Sequence, residues 1–191
     1  MTIRLTNPTG INKAIDLLQV WLQGQLFPQW GIDPLAEPAG NEYRVYPKVY
    51  RNVDPGGKGF IAELYTGENN YEEVYWNDQL KGLTWFGQGP RIETVGQIQT
   101  VDIHLVTFAN LKTLYPTITH RADEEIRQAF QRIFEAPIYG FSLVSTEIWL
   151  QNVLREYPGS RRDDRLIAAD MGDVHAFRLN LKLECNPAEL C

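Results

Sequence analysis

Two Asp-x-His pairs, Asp102-Ile103-His104 and Asp173-Val174-His175, are the residue types in this chain best suited to chemistry. On a strand, residues two apart share a face, so each pair presents a carboxylate and an imidazole together. Two such pairs on neighbouring strands would supply metal ligands or an acid–base couple. The flanking residues oppose that union. His175 has the parity of Phe177 and Leu179, whereas His104 has the opposite parity to Ile103 and Leu105. If both apolar sets line one core, the imidazoles point apart, because apolar parity fixes side-chain direction wherever one face is buried. His104 is then expected at the surface and His175 at the rim of the core. His120 reads as a helix-entry residue.

Other chemistry has less support. Pro55-Gly56-Gly57-Lys58-Gly59 puts a lysine among glycines, but a phosphate loop needs a following helix and a Ser or Thr after the lysine. Here Gly59 and the strand-like Phe60-Ile61 follow, so the stretch reads as a hairpin turn. Gly87-Gln88-Gly89-Pro90 also reads as a turn. There is no Gly-x-Ser-x-Gly elbow. The carboxylate pairs Glu72-Glu73 and Asp163-Asp164 fit a solvated edge and a solvated loop. Cys185 and Cys191 would close only a short loop and have no nearby histidine, so free thiols are expected rather than a disulfide or zinc site. No catalytic, cofactor-binding or metal-binding residue is assigned.

Aromatic residues crowd the region from Tyr43 to Phe86. Tyr and Trp are enriched in interfaces because they bury area while keeping a polar handle. Tyr71, Tyr75, Trp76 and Trp85 are therefore candidate subunit contacts, joined by Arg161, Arg162 and Arg165 from a polar loop whose mixed charges suit an interface rim. Exposed aromatics also stack on sugars, which keeps a small-ligand or carbohydrate-binding module as the alternative. A metal-dependent enzyme built on Asp102/His104 and Asp173/His175 is the second alternative.

The elements that must position these groups follow from periodicity. Ile11, Ile15, Leu18, Trp21 and Leu22 step as one helical stripe, predicting a helix from Asn12, as N-cap, to Leu26, stopped by Pro28. Strands are expected over Tyr43–Tyr50, with Pro47 at an edge or bulge, over Phe60–Tyr65, and over Tyr71–Trp76, with turns at Asp54–Gly57 and Gly67–Asn70. Leu83–Phe86 gives a short strand. A long strand over Thr94–Phe108 shows a slip in apolar parity at Val106 and Phe108, the mark of a bulge or twist. A helix over Arg121–Phe134 has Thr119 as its candidate cap and Asp123, Glu124 and Glu125 where the helix dipole favours negative charge. Ser142–Tyr157 is read as strand, Pro158–Asp173 as a loop. Asp173–Cys185 alternates oily and wet residues and reads as a half-buried antiparallel strand completing the sheet.

The chain's 191 residues suffice for one domain with a real core. The net charge of −6 argues against a dedicated nucleic-acid partner, whose affinity rests on Lys and Arg. No apolar run reaches the roughly 20 residues that span a bilayer, and Met1 to Leu5 does not resemble a signal peptide. A cytoplasmic location and no membrane partner are expected.

The order of elements resembles the tail-terminator and tail-completion proteins of long-tailed phages and prophages. The resemblance rests on the first amphipathic helix, the strand meander, the strand ending Val101-Asp102-Ile103-His104-Leu105, the helix Arg121–Phe134 and the closing strand His175–Leu181. It implies a small α+β subunit that joins rings at the head–tail junction, in the virion if the phage origin holds. The expectation is a single α+β domain over residues 1–191, with a mostly antiparallel four- to six-stranded sheet and two helices on one face. Its expected role is a structural, non-catalytic subunit that needs no cofactor and contacts copies of itself in a ring, or other tail proteins. Head-to-tail contacts would be required for a ring.

Overall fold

The structure, a computed structural model, describes residues 4–5, 7–32, 43–53, 60–76, 80–148, 172–186 and 188. The described elements run α1 (Ile11–Gln29), β1 (Tyr43–Val53), β2 (Phe60–Gly67), β3 (Asn70–Glu73), β4 (Gly82–Val95), β5 (Ile98–Asn110), α2 (Leu111–Leu114), α3 (Asp123–Ile133), β6 (Phe141–Glu147) and β7 (Val174–Cys185). The strands form one sheet of seven, ordered β3-β2-β1-β4-β5-β7-β6. This exceeds the expected four to six. The sheet is mixed, because β1 and β4 are parallel while every other neighbouring pair is antiparallel.

The parallel pair follows from what lies between its strands. The β2–β3 hairpin is laid outside β1, and the chain returns to start β4 beside the start of β1, Tyr43 opposite Gly82. Glu68 and Asn69 both have positive φ at the hairpin tip, 50° and 62°, as a two-residue type I′ connection requires. Pro47 marks a bulge inside the sheet rather than an edge. The β1–β4 register shifts between Val45 and Lys48. Tyr46 and Val49, three apart, consequently both reach the same core. Gln19 of α1, fully buried, donates from Nε2 to the Val45 carbonyl beside this shift at 2.6 Å.

α1 lays Ile15, Leu18, Leu22 and Leu26 on one face of the sheet, beside Ile126 and Phe130 of α3. Beneath them lie Ile103 and Leu105 of β5 and Phe177, Leu179 and Leu181 of β7. Two helices on one face therefore hold as expected, and α2 adds a short third, capped by the Asn110 side chain accepting from Thr113 N at 3.1 Å. The helix ends differ from expectation. Gly10, with φ 55°, is the N-cap of α1, so Asn12 lies inside the helix. Pro28 lies inside the last turn, so the helix runs on to Gln29 although the proline removes one i→i−4 donor there. Ala122 stands at the N-cap of α3 without a side-chain cap, so Thr119 does not cap it.

The opposite face carries a second core of Val49, Leu64, Trp76, Leu83, Trp85, Val106 and Phe108, with Val174 and Ala176. This explains the apparent parity slip in β5. No bulge interrupts its pairing with β7; Ile103 and Leu105 face the helices while Val106 and Phe108 face the other side. The strand is buried on both faces, so its apolar residues need not alternate. Gly87 to Pro90 is likewise no turn. β4 continues through it with a register shift between Gln88 and Ile92. A Cβ at Gly89 would lie 2.9 Å from Asp102 Cβ and 3.2 Å from His104 Nε2, so the glycine serves close approach. The reversal comes at Gly96, φ 62°, splitting the expected Thr94–Phe108 strand. β7, the last strand in the chain, completes the sheet as expected, inserted between β5 and β6, and it is more than half-buried: of its outer positions from Ala176 to Glu184 only Glu184 is exposed. The expected turn at Asp54–Gly57 and all of Ser142–Tyr157 beyond Ile148 fall outside the described residues.

Candidate functional site

The unbroken β5–β7 register, from Gln99 opposite Cys185 to Asn110 opposite Val174, decides the fate of the Asp-x-His pairs. His104 stands opposite Asn180, and His175 opposite Ala109. Residues 104 and 109 differ by an odd number, so the imidazoles are on opposite faces of the sheet. Among the described residues, no three His, Cys, Asp or Glu gather as metal ligands. His104 is not the surface residue expected, being 9 % exposed. His175 is buried and its ring stacks on Phe177 at 5.8 Å. His120 pairs with Glu125 across the entry to α3, Nε2 to Oε1 2.6 Å. Glu125 lies below the usual carboxylate range, first through its own backbone N–H and then through His120. Cys185 is a half-buried free thiol whose pKa burial raises.

What β7 does assemble, with β6, is a polar cluster around Arg178. Its guanidinium donates to Glu147 Oε1 at 2.6 Å, and Asn180 Nδ2 donates to the same oxygen at 2.9 Å and to Ser145 Oγ at 2.9 Å. Burial opposes the charge on Glu147, but the hydrogen bonds from Asn180 and Arg178, with the charges of Arg178 and His104, outweigh it and hold the carboxyl below its ordinary value. The group is fixed as an ionised acceptor that clamps β6 to β7. Two directed donors on one carboxylate oxygen suit a structural clip.

The aromatic candidates separate. Trp76 and Trp85, 3 % and 0 % exposed, are stacked on Phe108 in the second core and offer no surface to a neighbour. Tyr75 is half-buried. Tyr71 is 46 % exposed. It packs against Tyr50 and Tyr65, ring centroids 6.0 and 5.2 Å away. The β1–β2–β3 register gives these three tyrosines one common face with Lys48, Asn52 and Glu63. Lys48 Nζ lies 5.1 Å from the Tyr50 centroid and donates to Gln88 Oε1 at 2.6 Å; burial lowers its pKa. Arg161, Arg162 and Arg165 lie outside the described residues.

Two exposed apolar surfaces were not anticipated. β4 pairs with β1 only as far as Phe86, yet continues with β5 to Val95 opposite Ile98. Residues 91–98 of this hairpin arm are all exposed. They include Ile92, Val95 and Ile98 at 48 %, 80 % and 48 %. The second surface is the outer side of α1. Leu17 and Val20 are exposed there beside half-buried Trp21. No charged residue occurs between Leu17 and Ile32. The sequence carried both signals: Gly96 within an overlong strand, and apolar residues of α1 off its main stripe in a charge-free run. The stronger i, i+3, i+4 pattern on the buried side masked the second.

Comparisons with family models, with curated proteins and with solved structures gave no match. No helix among the described residues is long and apolar enough to cross a membrane.

Proposed function

We propose that this chain is a structural, non-catalytic subunit of a phage-derived tail or related assembly, acting through contacts with copies of itself or with other tail proteins. The observation that supports this reading is the β4–β5 arm. Eight consecutive residues, 91–98, are exposed where β4 runs on past its pairing with β1, and the tip from Val95 to Ile98 passes the end of the β5–β7 pairing. Fully burying such a side chain is worth about 1.5–3 kcal/mol; the chain's own fold leaves most of that gain unclaimed at Val95 and part of it at half-exposed Ile92 and Ile98. Charge depletion with exposed apolar groups, as on α1, is the composition of an interface core. The test is sedimentation velocity of the purified chain over a concentration series, with negative-stain microscopy of the largest species. Concentration-dependent closed rings are expected; a monomer at every concentration, which also fails to bind tail-tube subunits, overturns the reading.

The tyrosine face of β1–β2–β3 favours a second reading, a carbohydrate or small-ligand module that stacks a ring on Tyr71 beside the polar groups of Asn52 and Glu63. Glycan-array binding abolished by Tyr71→Ala would favour it; no binding in the native chain removes it.

A further inference from the structure

Past the register shift between Val45 and Lys48, β1 alternates regularly, so Lys48, Tyr50 and Asn52 share a face. Lys48 is half-buried there. Its Nζ donates to the neutral Gln88 Oε1 at 2.6 Å and lies 5.1 Å from the Tyr50 centroid. An ammonium has three donors and no acceptor. Among the described residues nothing else accepts from it, and no carboxylate pairs with it. Burial lowers its pKa, the direction taken when no anion offsets lost hydration. A half-buried cation without a partner gains more from an incoming anion than a fully solvated one does.

The ring of Tyr50 joins this cation to an open aromatic surface. Tyr50 meets Tyr71 edge-on at 6.0 Å, and Tyr71 is 46 % exposed. One aromatic side chain therefore separates the ammonium from a ring that a ligand can cover. The carboxylates of this face are Glu63 and Glu73, opposite each other and two residues along the strands from the Tyr65–Tyr71 pair. Glu63 already accepts from Asn52 Nδ2. The separation of charge gives an incoming ligand a direction. An acid group is drawn to Lys48 and repelled by the glutamates, which instead accept from hydroxyls.

We infer that this face binds an acidic sugar, a uronate-type ring packing on Tyr71 with its carboxylate paired to Lys48. This rests on the carbohydrate reading above and names the sugar class it takes. A neutral sugar would leave the ammonium unpaired, and an amino sugar would set a second cation against it.

The test begins with the native chain on an array of matched uronate and neutral oligosaccharides, followed by calorimetric titration of the best-bound uronate. The chain should prefer the uronate of each pair, and added salt should erode that preference. Neither measurement needs a variant. Lys48→Met keeps the stem and removes the charge. It should weaken uronate binding at least ~10-fold, the loss expected of one charge-assisted hydrogen bond, and leave neutral-sugar binding unchanged. Lys48→Arg should restore most of the affinity, and Tyr71→Ala should weaken both classes. Neutral sugars bound as tightly as uronates, or full uronate affinity in Lys48→Met, overturn the inference while leaving the carbohydrate reading standing. A native chain that binds no sugar removes both.

Discussion

Replacing Gly82 with alanine tests how the parallel strand pair is built. Gly82 lies opposite Tyr43 in the β1–β4 register. A Cβ there would fall well inside van der Waals contact with Cδ2 and Cε2 of the Tyr43 ring and 2.8 Å from Cζ. The ring has nowhere to go. It stacks on Trp30 at 4.8 Å, meets the edge of Phe27 at 5.8 Å, and is fully buried. Its hydroxyl is 2.7 Å from Thr84 Oγ1, which is 3.0 Å from Thr107 Oγ1. That buried hydroxyl chain crosses three strands, and burial pushes the phenol pKa up despite it. Overpacking costs about 1–3 kcal/mol, lost stacking about 0.5–1.5 kcal/mol, and each displaced hydroxyl bond about 1 kcal/mol. Because the clash, the lost stacking and the broken hydroxyl bonds are alternative consequences of one overpacked ring, the terms do not add fully, and Gly82→Ala should cost about 3–5 kcal/mol. For a chain of this length that is a fall in melting temperature of roughly 6–20 °C. Urea denaturation with an unchanged slope measures it. In a Tyr43→Ala background the same substitution should be close to neutral. A loss below about 0.5 kcal/mol, or an equal loss in both backgrounds, refutes the reasoning.

The Arg178–Glu147 clip predicts an acid limb. Glu147 has a folded pKa below its unfolded value, so its contribution is complete above the unfolded value and is lost as pH falls through the folded one. Glu147→Gln should lower stability at neutral pH and make the denaturation midpoint less sensitive to pH below the glutamate range; an unchanged acid limb would count against the clip. Burial of Trp85 against Phe108 predicts that Trp85→Ala costs about 3–5 kcal/mol, whereas exposed Val95→Ala costs less than about 0.5 kcal/mol. Chemical denaturation distinguishes these, and equal losses would contradict the placement of the second core.

Sequence periodicity by itself determined the two main helices, the hairpin at Gly67–Asn70 and the alternation of Phe177, Leu179, Leu181 and Leu183 on one face of β7. These depend on local backbone geometry, which repeats every 3.6 or 2 residues and so is written along the chain. The parity of the two histidines also followed from it, since strand alternation needs no knowledge of the partner strand. Strand order and second-face burial did not follow. Trp76 and Trp85 had the composition of a contact surface, and only the packing of Phe108, Val106 and Ala176 from distant strands turned them inward. The glycines near position 88 resembled a turn because their reason, the approach of Asp102 and His104 from β5, lies across the sheet. The exposed arm likewise depends on where β1 parts from β4 at Phe86. A residue's own type states how it can pair; which neighbour reaches it is settled by contacts between segments far apart in the chain.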